Sequence, residues 1–283
     1  MTWQLFTLIS VVSLSVSVIL QRLLIHKDKT DPIAYVIVFQ GIVGVILMVP
    51  AVLAGFNLAG ISAVALPALV SIILFGLGHI VYAKTLQHVE ASAFSVLFAT
   101  QAIWTMLLGF ILLHESLTAL QLLGSLLIFA SVGVLAHKLS RVFRERGTLL
   151  GLLTGLMFGI AVYAWSYVGR HVDPLSWAAI SFVGTTLVVL VLRPRSVRKM
   201  KPFLRTKVLW KMLALGATYA LGSLTMLLAY KYGSFAIVSP LRQTSIILTV
   251  LLALLLLPAE RNHIRRKLIA AVVCTIGVIL IVV

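Results

Sequence analysis

Residues 31–35 read Asp31-Pro32-Ile33-Ala34-Tyr35, and the same figure returns 142 residues later as Asp173-Pro174-Leu175-Ser176-Trp177. Each Asp-Pro pair opens an apolar run, and each is followed three residues after the proline by an aromatic. Further along the chain the offset barely changes. Residues 86–92 lead into one apolar run as residues 230–236 lead into another, 144 on. Glu115 and Glu260, 145 apart, each close such a run, and Gly133-Val134-Leu135 corresponds to Gly277-Val278-Ile279, again 144 apart. Four matches at nearly one offset mark an internal duplication.

Composition says what is duplicated. Hydrophobic residues make up 61% of the 283 and charged residues 11%, where soluble domains carry about a quarter charged. So few charges cannot coat a water-soluble domain, so the chain is read as a membrane protein. Apolar runs long enough to span occur at about 2–24, 33–54, 64–86, 91–113, 118–137, 148–169, 174–192, 208–230, 234–257 and 266–283. The first has no Lys or Arg ahead of it and is too long for a signal h-region, so it is expected to stay as a span. An odd number of spans per repeat forces the second half to cross the membrane in the opposite sense. The predicted fold is therefore all-α and polytopic: ten transmembrane helices in two inverted five-helix repeats, 1–137 and 148–283, joined by a basic linker at 138–147. Inverted repeats suit alternating access to a midplane site.

The net charge of +16 comes from 23 Lys and Arg against 7 Asp and Glu. Twenty of the 23 fall in the connections between spans 1–2, 3–4, 5–6, 7–8 and 9–10; Arg170 and Lys231 fall on the other side, and Arg242 lies inside span nine. Retention of positive charge on the cytoplasmic side accounts for this pattern and predicts a multi-pass plasma membrane protein with both termini outside. Nucleic acid is not needed to explain it. The single cysteine, Cys274, excludes a disulfide framework or a CxxC site and reads as a packing residue. No HExxH, GxSxG or interior carboxylate pair occurs, so no catalytic residue, metal or cofactor is expected and the chain is read as a non-enzyme.

Arg242 is the sharpest candidate. It lies roughly 12 Å past the start of its span at 1.5 Å per residue, at a depth where an unpaired charge costs about 2.5–3.5 kcal/mol. Pro240 breaks the helical ladder beside it. A cation there suits a carboxylate or phosphate. The seven acids (Asp28, Asp31, Glu90, Glu115, Glu145, Asp173 and Glu260) fall at span ends or in connections, which disfavours an organic cation as cargo. Gln40, Gln101, Trp104, Tyr163, Trp165, Tyr219, Gln243 and Thr244 are the other candidates for a mixed aromatic and amide lining. His79 is the candidate for proton coupling; Glu115, Glu260 and Pro240 are candidates for gating. Small residues along spans five and ten (Gly124, Ser125, Gly133, Ala270, Ala271 and Gly277) suit close helix contact, read first as intramolecular, with a weak homodimer as the lesser reading.

The arrangement resembles the EamA-type members of the drug/metabolite transporter superfamily. The resemblance is carried by Glu115-Ser116-Leu117-Thr118 with Gln121, Gly124 and Gly133, and by Tyr232-Gly233 through Val238-Ser239-Pro240-Leu241-Arg242-Gln243-Thr244-Ser245 to Glu260-Arg261. It implies a central cavity lined by spans 1–4 and 6–9, spans 5 and 10 as buttresses, and coupled movement of small metabolites across the bilayer. The expected activity is secondary active transport of an amino acid or organic anion. The alternative is a flippase for a lipid-linked sugar or phospholipid.

Overall fold

The computed structural model describes residues 2–25, 31–101, 103–104, 107–108, 111, 118–135, 146–233, 238, 242, 244–257 and 264–282. These form helices α1 (Thr2–Leu24), α2 (Pro32–Leu53), α3 (Ala65–His88), α4 (Ala91–Phe98), α5 (Ala119–Leu135), α6 (Arg146–His171), α7 (Pro174–Leu192), α8 (Thr206–Tyr232), α9 (Ser245–Leu256) and α10 (Ile264–Val282). Short 3-10 turns occupy Ile61–Val64, Pro194–Lys199 and Lys201–Leu204, and the described residues contain no strand. Six of the helices are individually long and apolar enough to cross a membrane. In hydrocarbon the backbone must satisfy its own polar groups, so a polytopic bundle is the outcome this composition allows.

The Asp-Pro repeat acts at the helix starts. Asp31 accepts from the amides of Ile33 and Ala34, and Asp173 from that of Ser176, while each following proline occupies the first turn where an amide would have no partner. At their crossing α2 and α7 meet through small residues. A Cβ on Gly41 would lie 3.8 Å from Thr186, and one on Gly44 3.0 Å from Val183. Positions 41 and 183, like 44 and 186, are 142 apart, so exchanging the repeats maps this contact onto itself.

The same holds for the bundle. The most extensive contacts are α1 with α8, α3 with α6, α2 with α7 and α5 with α10, and α4 also packs on α9. Exchanging the two halves turns the α1–α8 pair into the α6–α3 pair and leaves the other three unchanged. A pseudo-twofold therefore relates the halves. Along α5 and α10 the small residues serve this internal contact, since a Cβ on Gly277 would come within 2.6 Å of the Gly124 carbonyl.

Alternate connections meet on alternate faces. On one face Arg22 donates to the Leu86 carbonyl, Lys267 pairs with Glu90, and Lys199 lies 2.9 Å from Asp31. On the other the Asn57 amide donates to Ser176 Oγ at 3.0 Å, Gly60 (φ +86°) sits beside the His171 carbonyl, and Gly233 packs on Trp3.

Span four departs from expectation. The sequence predicts one continuous run over 91–113, but the helix tightens to a turn at Ala99–Thr100 before resuming at Gln101. The Thr100 amide and hydroxyl both donate to the Leu97 carbonyl, at 3.2 and 2.7 Å. A threonine hydroxyl competing for a carbonyl one turn back is the physical cause. Thr244, 144 residues later, is likewise in a turn, between Arg242 and the start of α9. Irregular backbone at this depth is tolerated against a cavity.

Candidate functional site

A cavity of about 1100 Å³, its open mouth included, occupies the centre of the bundle. Helices α1, α3, α4, α6, α7, α8 and α9 line it, together with Arg242. The lining is symmetric in position. Leu14 and Phe158, Val18 and Val162, Gln21 and Trp165, Phe75 and Tyr219, His79 and Ser223, Tyr82 and Met226, Phe98 and Arg242, and Gln101 and Ser245 all face it, each pair 144 residues apart. The duplication thus built the cavity, and later substitution made its two walls unlike.

The first-repeat wall is mostly aromatic. Phe75, Phe98, His79 and Tyr82 surround Phe158 with ring centroids 4.8 to 6.0 Å apart, and Tyr82 meets Phe94 edge-on at 4.5 Å. Such edge contacts add about 0.5–1.5 kcal/mol each beyond burial and give the wall a fixed shape. Gln21 also lines it, and its amide oxygen accepts from the Tyr35 hydroxyl at 3.2 Å. The second-repeat wall carries hydroxyls and the cation: Ser181, Thr185, Tyr219, Ser223, Ser245, Thr249 and Arg242. Trp165 is fixed there by donation from its ring nitrogen to Ser181 Oγ at 3.0 Å, while its carbonyl accepts from Trp177.

Arg242 sits partly buried on this wall and lines the same cavity as Tyr219. The carboxylates of the described residues lie elsewhere: Asp31 and Asp173 cap helices, and Glu90 pairs with Lys267. From Tyr219 the contacts run on to His79, whose Nε2 is 3.4 Å from the Tyr219 hydroxyl and whose Nδ1 is 2.8 Å from the Phe75 carbonyl. A carbonyl only accepts, so Nδ1 carries the proton in the neutral ring and Nε2, facing the Tyr219 hydroxyl, is the acceptor.

Of the residues singled out from sequence, Arg242, Gln101, Trp165, Tyr219 and His79 line the cavity. Gln40, Trp104 and Tyr163 do not. Trp104 packs instead on α6, where Gly159 has room for no Cβ (2.8 Å from Trp104 Cβ). Gln40 is fully buried in α2, and among the described residues neither its amide oxygen nor its amide nitrogen has a hydrogen-bond partner. Each such group costs about 1–3 kcal/mol. Gln243, Glu115, Glu260 and Pro240 lie outside the described residues, while Thr244 forms the turn before α9. Sequence reasoning missed Gln21, Ser15, the phenylalanines and the serine and threonine hydroxyls of α7 to α9. The offset of 144 read from the repeat, applied to Arg242 and Tyr219, would have found Phe98 and Phe75. Span two was expected on the lining; α2 instead stands behind it, with Phe39 packed edge-on to Tyr219 at 4.9 Å.

The model of the EamA-like transporter family matches residues 1–136 and again residues 145–283. The chain belongs to the EamA-like transporter family. It is accordingly a multi-pass membrane transporter of the drug/metabolite superfamily, acting on a small-molecule substrate within the lipid bilayer. No curated protein matches it in sequence. A solved structure, described only as the crystal structure of a protein, superimposes on 99% of this EamA-like chain and 95% of its own with a TM-score of 0.67 at 16% identity. That likeness is one of fold.

Proposed function

We propose that this EamA-like chain is a secondary active transporter of an amino acid or other organic anion across the plasma membrane, working by alternating access. The observation that carries the reading is Arg242: a cation on the wall of an aromatic-lined cavity, without a described carboxylate beside it. A carboxylate on Arg242, reinforced by the Tyr219 and Ser245 hydroxyls, leaves an apolar or amphipathic body to rest on Phe75, Phe98 and Phe158. Charge-assisted contacts of this kind are the strong ones in a dry site. The repeats, 1–137 and 148–283 with the basic linker 138–147, are the two bodies that exchange conformation, and the 20 basic residues put the face of Lys199 and Lys267 in the cytoplasm, with both termini outside. His79 is the proton-coupling candidate. Protonation of Nε2 adds a second positive charge to the chain that begins at Arg242, and an anionic cargo offsets it, so proton and anion bind cooperatively.

A thermal-shift panel of amino acids, organic acids and phosphorylated metabolites on purified protein tests the reading. Organic anions should raise the Tm of the wild type and not that of Arg242→Gln. A lipid-linked sugar as the sole hit would favour the flippase reading instead.

A further inference from the structure

The cavity obeys the repeat symmetry at eight pairs of positions and breaks it at one pair of helices. From α7 come Ser181, Phe182 and Thr185. The equivalent positions of α2, at the offset of 142 fixed by the Asp-Pro starts and by the Gly41 and Gly44 contacts, are Phe39, Gln40 and Val43. None of the three lines the cavity, and each is 0% exposed. Tyr219 stands between, with Phe39 at 4.9 Å on one side and Phe182 at 5.9 Å on the other.

A face shut away from the cavity that matches a face lining it, Ser181, Phe182 and Thr185 being only 1–8% exposed, is what inverted repeats produce when one half holds the conformation the other half takes in the opposite-facing state. Gln40 adds an independent observation. A purely structural position would be apolar or hydrogen-bonded, yet its amide is wholly buried with both ends unpartnered among the described residues. Such a group is satisfied only when water or a ligand reaches it.

We infer that in the opposite-facing conformation the Phe39, Gln40 and Val43 face of α2 replaces the Ser181, Phe182 and Thr185 face of α7 as cavity wall, and that the Gln40 amide binds the cargo there. This rests on the alternating-access reading above. Gln40 both donates and accepts, so it can hold a carboxylate through its NH2 or an ammonium or hydroxyl through its oxygen. It thereby adds a further amide to the first-repeat side, beside the Gln21 and Gln101 that face the cavity in the present conformation.

The single cysteine makes the test direct. With Cys274 changed to Ala, single cysteines are placed at Gln40, at Phe182 and, should Gln40→Cys not fold, at Val43. The membrane-impermeant reagent 2-sulfonatoethyl methanethiosulfonate is added to right-side-out and to inverted membrane vesicles, with native Cys274, buried in the core, as the floor. Phe182→Cys should react from one face and Gln40→Cys from the opposite face, the latter at least about tenfold above the floor, as an opposite-facing state populated at roughly 0.1–10% allows. Gln40→Cys and Val43→Cys at the floor from both faces, or reacting from the same face as Phe182→Cys, overturn this inference and leave the transporter reading standing. Reaction of both Phe182→Cys and Gln40→Cys from both faces at once marks a continuous pore and overturns the transporter reading with it.

Discussion

At position 98 the first repeat presents a phenyl ring to the cavity, and at position 242 the second repeat presents a guanidinium. Each lies two residues before a threonine in a turn, Thr100 or Thr244. The comparison separates two things that sequence duplication would otherwise confound. Scaffold symmetry sets where side chains point, and the residue types at those points set what the cavity holds. A cation on one wall and a ring cluster on the other give the cavity a charged end and an apolar end.

The strongest way to break the comparison is to remove its charged member. Arg242→Gln should abolish anion uptake into proteoliposomes, with a loss of about 2–5 kcal/mol in kcat/KM, as expected when one partner of a desolvated charge pair is removed. Its size-exclusion profile should match the wild type. Next comes the helix contact behind each wall. A Cβ at Gly159 would lie 2.8 Å from Trp104 Cβ and 2.9 Å from the Gln101 carbonyl, whereas its counterpart Ser15 reaches Ser245 by a hydroxyl, 3.3 Å from the carbonyl. Gly159→Leu should therefore cost about 1–3 kcal/mol by overpacking. Ser15→Ala should cost about 1 kcal/mol or less. Thermal unfolding in detergent measures both.

The pair His79 and Ser223 sharpens the comparison in chemistry rather than in packing. His79→Gln should flatten the dependence of uptake on pH that a coupled histidine imposes. The preference for anions should survive. Ser223→Ala should leave the pH profile unchanged.

The smallest expected difference lies at the helix starts. Asp31→Ala should destabilise more than Asp173→Ala, each by about 0.5–2 kcal/mol, because Asp31 accepts two amides and Lys199 where Asp173 accepts one amide. Burial pushes the Asp31 carboxyl up, but the amides of Ala34 and Ile33 and the Lys199 ammonium more than offset it, so its pKa falls below 3.8. A carboxylate with a depressed folded pKa stabilises fully above its unfolded value and loses that contribution as pH falls through the folded one. The stability gap between wild type and Asp31→Ala should thus be constant from neutral pH down to about 4 and close below it.

How far the sequence could be read follows from what hydropathy encodes. The spans and their pairing were legible because length and apolarity are properties of a segment, and because Asp31-Pro32 and Asp173-Pro174 carry the repeat in four residues. Arg242 was legible because a charge inside a span stands out against its neighbours. The faces of the helices were not. In a helix apolar all round, periodicity carries no signal about which side meets a cavity, so Phe75, Phe94, Phe98 and Phe158 looked like any lipid-facing or core ring. Polarity was a poor substitute. It identified Gln101, Tyr219 and Trp165, but it also drew in Trp104 and Tyr163, which the cavity does not touch. Gln21 was passed over because it adjoins Arg22 at a span end, although it lines the cavity with its amide held by Tyr35.

The sign of the cargo is the most direct test of the account. Transport currents recorded on a solid-supported membrane, with matched organic anions and organic cations applied to the wild type and to Arg242→Gln, read that sign. The account predicts currents for anions alone, lost in Arg242→Gln. Currents confined to organic cations, or anion currents unchanged by Arg242→Gln, would contradict it.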